Sequence, residues 1–85
     1  MTKVTVYYRD FCGYSTRAIK LLEQKGVDLE TINAGMDMEK KREMIERSNG
    51  GMTFPQIFIG DQHIGGCDDM MALERSGKLD QMLAA

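Results

Sequence analysis

The sequence predicts an α/β fold: a four-stranded mixed β-sheet flanked by three to four helices, in the order β-α-β-α-β-β-α. Three observations carry that reading. Strand-like runs rich in β-branched residues alternate with stretches of helical periodicity as far as Arg47. Two short apolar runs then follow with only Gly60-Asp61 between them, and glycines punctuate the ends of the helical stretches.

Val4-Thr5-Val6-Tyr7-Tyr8 is β-branched and aromatic and reads as a buried strand. Cys12-Gly13-Tyr14-Ser15 forms a junction, after which Ala18, Ile19, Leu21 and Leu22 recur at helical spacing from about Ser15 to Lys25. Gly26 stands where a left-handed glycine ends a helix. Val27 to Asn33 alternates as a second strand. Asp37 is placed to cap a helix from Met38 to about Arg47, with Met38, Met44 and Ile45 as its apolar face. Ser48-Asn49-Gly50-Gly51 is loop punctuation.

Ile57-Phe58-Ile59 and Gln62-His63-Ile64, joined by Gly60-Asp61, form a hairpin with a type II′ turn signal. After Gly65-Gly66, Asp68 or Asp69 is expected to cap a helix carrying Met70, Met71 and Leu73, with Gly77 as its break. Leu79, Met82 and Leu83 give a short final helix. A crossover joins the first two strands and a hairpin the last two, so the sheet is mixed.

With 85 residues the chain is expected to form one domain, residues 1–85, burying somewhat over ~60% of its unfolded surface. Apolar residues at 42% and charged residues at 28% match neither disorder nor a membrane span. Met1 to Val6 lacks the apolar core and cleavage site of a secretory signal, which makes a cytoplasmic location the expectation. The net charge of -2 is mixed along the chain without a basic stripe, so nucleic acid is not an expected partner.

Cys12 and Cys67 are too few for a disulfide scaffold. Cys12 stands at the start of the first helix, where unpaired N–H groups and the positive end of the helix dipole stabilise an anion. A free thiol with a pKa near ~8.5 is mostly protonated at pH 7. Making the thiolate dominant takes roughly 3.4 kcal/mol of preferential anion stabilisation. Backbone N–H groups, the Ser15 or Thr16 hydroxyl and the Arg9 charge are the candidates to supply it. The bland alternative is a buried structural cysteine; the polar, turn-prone segment Asp10 to Ser15 weighs against it.

Three segments resemble the glutaredoxin family: Cys12-Gly13-Tyr14-Ser15-Thr16-Arg17-Ala18 its active-site segment, Thr53-Phe54-Pro55-Gln56 its cis-proline loop, and Ile64-Gly65-Gly66-Cys67-Asp68-Asp69 its glutathione-binding segment. They occur in the family's order and spacing, and the resemblance runs from Lys3 to about Leu83. It implies a thioredoxin fold, in agreement with the element order, and a glutathione-dependent thiol-disulfide oxidoreductase acting through Cys12. It also implies a cis Phe54-Pro55 bond that leaves the Phe54 backbone free to pair with the cysteine of glutathione.

Gly65 and Gly66 permit close backbone approach, and the following helix offers N–H groups to a carboxylate. The resemblance assigns the γ-glutamyl end of glutathione to Cys67, Asp68 and Asp69, in a groove that Tyr14, Thr53, Phe54, Pro55 and Gly66 help to build. Arg9, three residues before Cys12, matches a family lysine and is assigned to the glycine carboxylate; an Arg forms a bidentate pair there. Arg42 and Arg47 are lesser candidates. His63, the only histidine, reads as a partly exposed strand residue, and the eight methionines read mainly as core packing.

The family's dithiol pattern is Cys-Pro-Tyr-Cys and its second large class carries Cys-Gly-Phe-Ser; Cys-Gly-Tyr-Ser matches neither. With Ser15 in place of a second cysteine, the implied route is monothiol: Cys12 reduces protein–glutathione mixed disulfides and is regenerated by glutathione. The alternative is a [2Fe–2S] carrier, in which two Cys12 and two glutathione thiolates bridge a homodimer that is monomeric as the apo protein. Gly13 and Ser15 resemble that class. The absence of any Trp, and so of its Trp-Pro-Thr segment, argues against it, as does the absence of its insertion before the active site. A third reading takes Ser15 as an engineered replacement that traps a mixed disulfide.

Overall fold

The computed structural model describes residues Thr2 to Ala84. Strand β1 (Lys3–Tyr8) has Val4 to Tyr7 buried, as expected of a central strand. Helix α1 (Gly13–Gln24) carries the chain over to β2 (Asp28–Asn33), which pairs with β1 in parallel. Helix α2 (Met38–Arg47) leads to β3 (Gln56–Ile59), antiparallel to β1, and β4 (Gln62–Gly65) closes an antiparallel hairpin on β3. The sheet order is β2-β1-β3-β4. Helices α3 (Cys67–Ser76) and α4 (Lys78–Ala84) end the chain. Among the described residues no helix is long and apolar enough to cross a membrane.

The alternation of β1 and β3 feeds two cores. Val4, Val6, Ile57 and Ile59 point to the face covered by Ala18 and Leu22 of α1, Met70 of α3, and Leu79 and Leu83 of α4. Tyr7 and Phe58 point to the other face, against Ala34 and Met44 of α2. Each fully buried Leu or Met contributes about 1.5–3 kcal/mol relative to an exposed one. Lys25 ties the first face together: its Nζ lies 2.6 Å from Asp80 of α4 and 2.9 Å from Glu74 of α3.

The element order, the left-handed Gly26 (φ 69°), the hairpin glycine Gly60 (φ 59°) and the Gly77 helix end (φ 79°) all meet expectation. Asp37 caps α2 through Oδ1, which accepts from the N–H groups of Glu39 and Lys40. Other expectations are corrected. Helix α1 begins at Gly13, two residues earlier than the periodicity suggests, because extended Cys12 serves as its N-cap. The N-cap of α3 is Gly66, not Asp68 or Asp69; Asp69 supports it from inside the first turn, its Oδ2 accepting from the Gly66 N–H at 3.0 Å. Met38 lies outside the apolar face of α2, and Met36, Met38 and Met52 are all exposed because they sit in connections or a first turn that no element covers.

Candidate active site

The exit of β1 delivers Cys12. Past Tyr8 the chain turns at Asp10 and Phe11, where Phe11 adopts a left-handed φ of 58° and projects its ring into solvent. Cys12 then takes φ -108°, ψ 109° as the N-cap of α1, and its carbonyl is held by the Thr16 N–H (3.0 Å) and hydroxyl (3.2 Å). The Thr16 hydroxyl is thus spent on the backbone. Ser15 is the residue left to serve the sulfur.

The Cys12 side chain is buried at 7% exposure, with Sγ 3.9 Å from the carbonyl oxygen of Phe54. Burial alone would push its thiol up. The Ser15 hydroxyl, the N–H groups of Ser15 and Tyr14, and the charge of Arg9 outweigh that effect and bring it below the ordinary thiol value. Ser15 Oγ is itself buried and, among the described residues, the one buried side-chain N or O atom without a hydrogen-bond partner. An ionised Cys12 gives that hydroxyl an acceptor and removes the cost of an unmet buried donor, about 1–3 kcal/mol.

Cys67 behaves in the opposite way. Burial pushes its thiol up, the nearby Asp68 and Cys12 add to that, and Arg17 only partly offsets it. Both cysteines are free, and their surroundings shift the two thiols in opposite directions.

Two adjoining depressions meet at Tyr14, Thr53 and Phe54. One, of about 640 Å³, holds Cys12 and Arg9, with Lys41 and Met52 on its rim. The other, of about 360 Å³, runs over Pro55 to Gly66, Cys67, Asp68 and Asp69, with Gln56 and His63 in its wall. Together they make one trough, with Cys12 and the cations in one part and the start of α3 in the other. The Phe54-Pro55 bond is cis, as the resemblance implies.

Cys12 and the nine residues assigned to glutathione (Arg9, Tyr14, Thr53, Phe54, Pro55, Gly66, Cys67, Asp68 and Asp69) all line this trough. Within the Asp pair the work is divided: Asp69 is engaged with the Gly66 N–H, whereas Asp68 is exposed and makes no hydrogen bond or ion pair among the described residues. Gly65, at φ 116°, has no room for a side chain, since a Cβ there would lie 2.3 Å from Asp69 Oδ2.

Lys41 was not singled out by the sequence, and the two arginines that were do not reach the trough. Arg47 donates to the Tyr7 hydroxyl at 2.9 Å and covers the Phe58 ring at 4.3 Å, on the α2 side of the sheet. Arg42 lines neither depression. The available signal was spacing: Lys41 precedes buried Met44 and half-buried Ile45 by three and four residues, which puts it on the inward stripe of α2. Among the described residues no group of three or more His, Cys, Asp or Glu side chains is arranged to hold a metal ion.

The glutaredoxin family model matches residues 4–64. A glutaredoxin of Pseudomonas aeruginosa is 46% identical over 85 residues, covering 100% of both chains. A solution structure of glutaredoxin from Brucella melitensis superposes with a TM-score of 0.82 at 51% identity, over 98% of this chain and 89% of that one. A crystal structure of a buckwheat glutaredoxin–glutathione complex superposes with a TM-score of 0.83 at 36% identity, over 98% of this chain and 77% of that one. The fold is the thioredoxin-like fold these structures share.

Proposed function

The chain belongs to the glutaredoxin family of thiol oxidoreductases, and on that premise we propose that it reduces protein–glutathione mixed disulfides by a monothiol route through Cys12. The observation that carries this reading is that Cys12 shares a depression with Arg9 and Lys41, and that this depression adjoins, through Tyr14, Thr53 and Phe54, the one that reaches the start of α3. Arg9 and Lys41 receive the glycine carboxylate. At the other end the N–H groups of α3 receive the γ-glutamyl carboxylate and Asp68 accepts from the α-ammonium group. Phe54 pairs through its backbone with the cysteine of glutathione, next to Sγ. The likeness to a glutaredoxin that binds glutathione supports the same assignment.

The Cys12 thiolate attacks the glutathione sulfur of the mixed disulfide, forming a Cys12–glutathione disulfide and breaking the protein–glutathione bond. The departing protein thiolate takes a proton from solvent. A second glutathione thiolate then attacks the bound glutathionyl sulfur, releasing Cys12 as thiolate and leaving glutathione disulfide. Ser15 cannot compete as a resolving thiol; it stabilises Cys12 both before attack and as leaving group. Cys67 stays protonated and offers its backbone.

A glutathionylated peptide incubated with glutathione and a coupled glutathione reductase tests the reading. Turnover that Cys12→Ser abolishes is the expected result; no turnover by the unaltered chain, or activity retained in Cys12→Ser, refutes it. The cluster-bridged homodimer draws on the same thiolate, one from each chain. Anaerobic reconstitution with iron, sulfide and glutathione separates the two readings: a coloured dimer establishes the carrier and a colourless monomer excludes it.

A further inference from the structure

A chain of hydrogen bonds runs along the wall of the trough from exposed His63 on β4 to the loop before Pro55. Gln56 is 4% exposed, and its Nε2 donates to the carbonyl oxygen of Thr53 at 3.0 Å and meets the Thr53 hydroxyl at 3.1 Å. A carbonyl oxygen only accepts, so the nitrogen end of the Gln56 amide is fixed toward Thr53 and Oε1 faces the other way. That oxygen lies 2.6 Å from His63 Nε2. Two acceptors do not make this contact, so Nε2 carries the proton. The tautomer of the only histidine follows from the carbonyl of Thr53.

The backbone is built to bring these groups together. Ile57 pairs with Gly65 but Phe58 pairs with His63, so Ile64 is an extra residue bulged out of β4. A bulge re-aims the side chains beside it, and here His63 leans diagonally toward Gln56 with its ring 4.9 Å from that of Phe58. From the far side Gly51 closes on the amide: a Cβ there would stand 3.0 Å from Gln56 Cδ and 2.7 Å from Ser48 Oγ. Ser48 in turn bonds the N–H (2.9 Å) and carbonyl (3.1 Å) of Gly51. Gln56 is therefore gripped from three directions, and Thr53 is what it holds.

We propose that His63 and Gln56 are positioning residues for glutathione, fixing Thr53 and through it the backbone that Phe54 offers the ligand; this rests on the function proposed above. Neither residue touches the reacting sulfur. The Nε2–H is present in both the neutral tautomer and the imidazolium, so the chain does not require one charge state of His63.

The test measures S-methylglutathione binding by calorimetry, and kcat and KM for a glutathionylated peptide, in the unaltered protein, His63→Phe and His63→Gln. Phe keeps a ring against Phe58 but has no N–H; Gln returns an N–H donor at comparable reach. His63→Phe is expected to weaken binding and raise KM about fivefold, the worth of one net hydrogen bond, with kcat and the pH midpoint of Cys12 alkylation unchanged. His63→Gln is expected to recover most of that loss. If the unaltered protein turns over and His63→Phe binds as tightly, the inference is overturned while the proposed function stands. A loss that His63→Gln does not recover overturns it too, because shape rather than the hydrogen bond would then be responsible. An unaltered protein that neither binds nor turns over removes both.

Discussion

The Cys12 sulfur lies 3.9 Å from the carbonyl oxygen of Phe54, a contact between residues 42 positions apart. The protonated thiol donates weakly to that oxygen. The thiolate cannot, and turns instead to the Ser15 hydroxyl and the N–H groups that begin α1. Ionisation thus exchanges one partner for several and leaves the Phe54 carbonyl to the ligand. The expected consequence is a pH midpoint for iodoacetamide alkylation of Cys12 below that of an ordinary thiol, moved upward in Ser15→Ala. An unchanged midpoint in Ser15→Ala would assign the effect to the helix terminus and Arg9 alone.

The same shift sets a pH dependence of stability. A thiol whose folded value lies below its unfolded value stabilises the fold where both states are ionised, and loses that contribution as pH falls through the folded value. Cys67 acts in the opposite sense, but its chief cause, burial, is common to the unaltered protein and to Cys12→Ser. Denaturant midpoints of the two proteins from about pH 5 to about pH 10, under reducing conditions, should therefore separate as pH rises and then run parallel. A constant difference across that range contradicts a lowered thiol.

Of the four α2 cations, Lys40, Lys41, Arg42 and Arg47, only Lys41 lines the trough. Lys41→Ala is expected to raise KM for the glutathionylated peptide by about tenfold, the low end for a charge-assisted hydrogen bond at an exposed site, with little change in kcat. Arg42→Ala should leave both near the unaltered values. Equal effects from the two would show general attraction to a basic helix rather than a site at Lys41, and added salt would then suppress both alike.

What the sequence made legible and what it hid divide along physical lines. Periodicity and glycine punctuation were enough for every element, because buried strands and amphipathic helices impose their periods on local sequence. The linked segments around Cys12, Pro55 and Gly66 were legible because each is contiguous. Lys41 was hidden because a lysine on a charged helix has the same local signature whether it faces water or a trough. The division between Asp68 and Asp69 was hidden as well, since the cap depends on Gly66 being extended (φ -97°, ψ -167°), which no neighbouring residue type dictates. His63 read as a plain strand residue; only the bulge at Ile64 brings it to Gln56.

Lys25 bridges Glu74 and Asp80 with 17% of its side chain exposed, so one ammonium group joins the end of α1 to both C-terminal helices. Its partners raise its pKa, chiefly through the hydrogen bonds it donates to Asp80 and then to Glu74. Because the folded value lies above the unfolded one, the contribution is complete below the ordinary lysine range and is lost only as pH climbs through the folded value. Lys25→Met should lower Tm at neutral pH by a few degrees, with the gap narrowing in strong salt as the wild-type pairs are screened. A gap indifferent to salt would instead assign the loss to packing of the lysine stem.

Gly65 gives the sharpest link between the backbone and the proposed ligand site. At φ 116° it holds a conformation that L side chains avoid, and a Cβ there would stand 2.3 Å from the Asp69 oxygen that accepts from the Gly66 N–H. Gly65→Ala therefore faces two costs at once, backbone strain of about 1–3 kcal/mol and the loss of the cap's support. Asp69→Ala removes only the second, about 1 kcal/mol, and leaves the backbone free to keep its shape. Chemical denaturation should rank the losses as Gly65→Ala above Asp69→Ala. Both substitutions should raise KM for the glutathionylated peptide, because both loosen the start of α3 where the γ-glutamyl carboxylate is received. The alkylation midpoint of Cys12 should not move, since its stabilising groups all lie on α1 or at Arg9. A shifted midpoint in either variant would mean that the two ends of the trough are mechanically coupled through the Phe54-Pro55 loop.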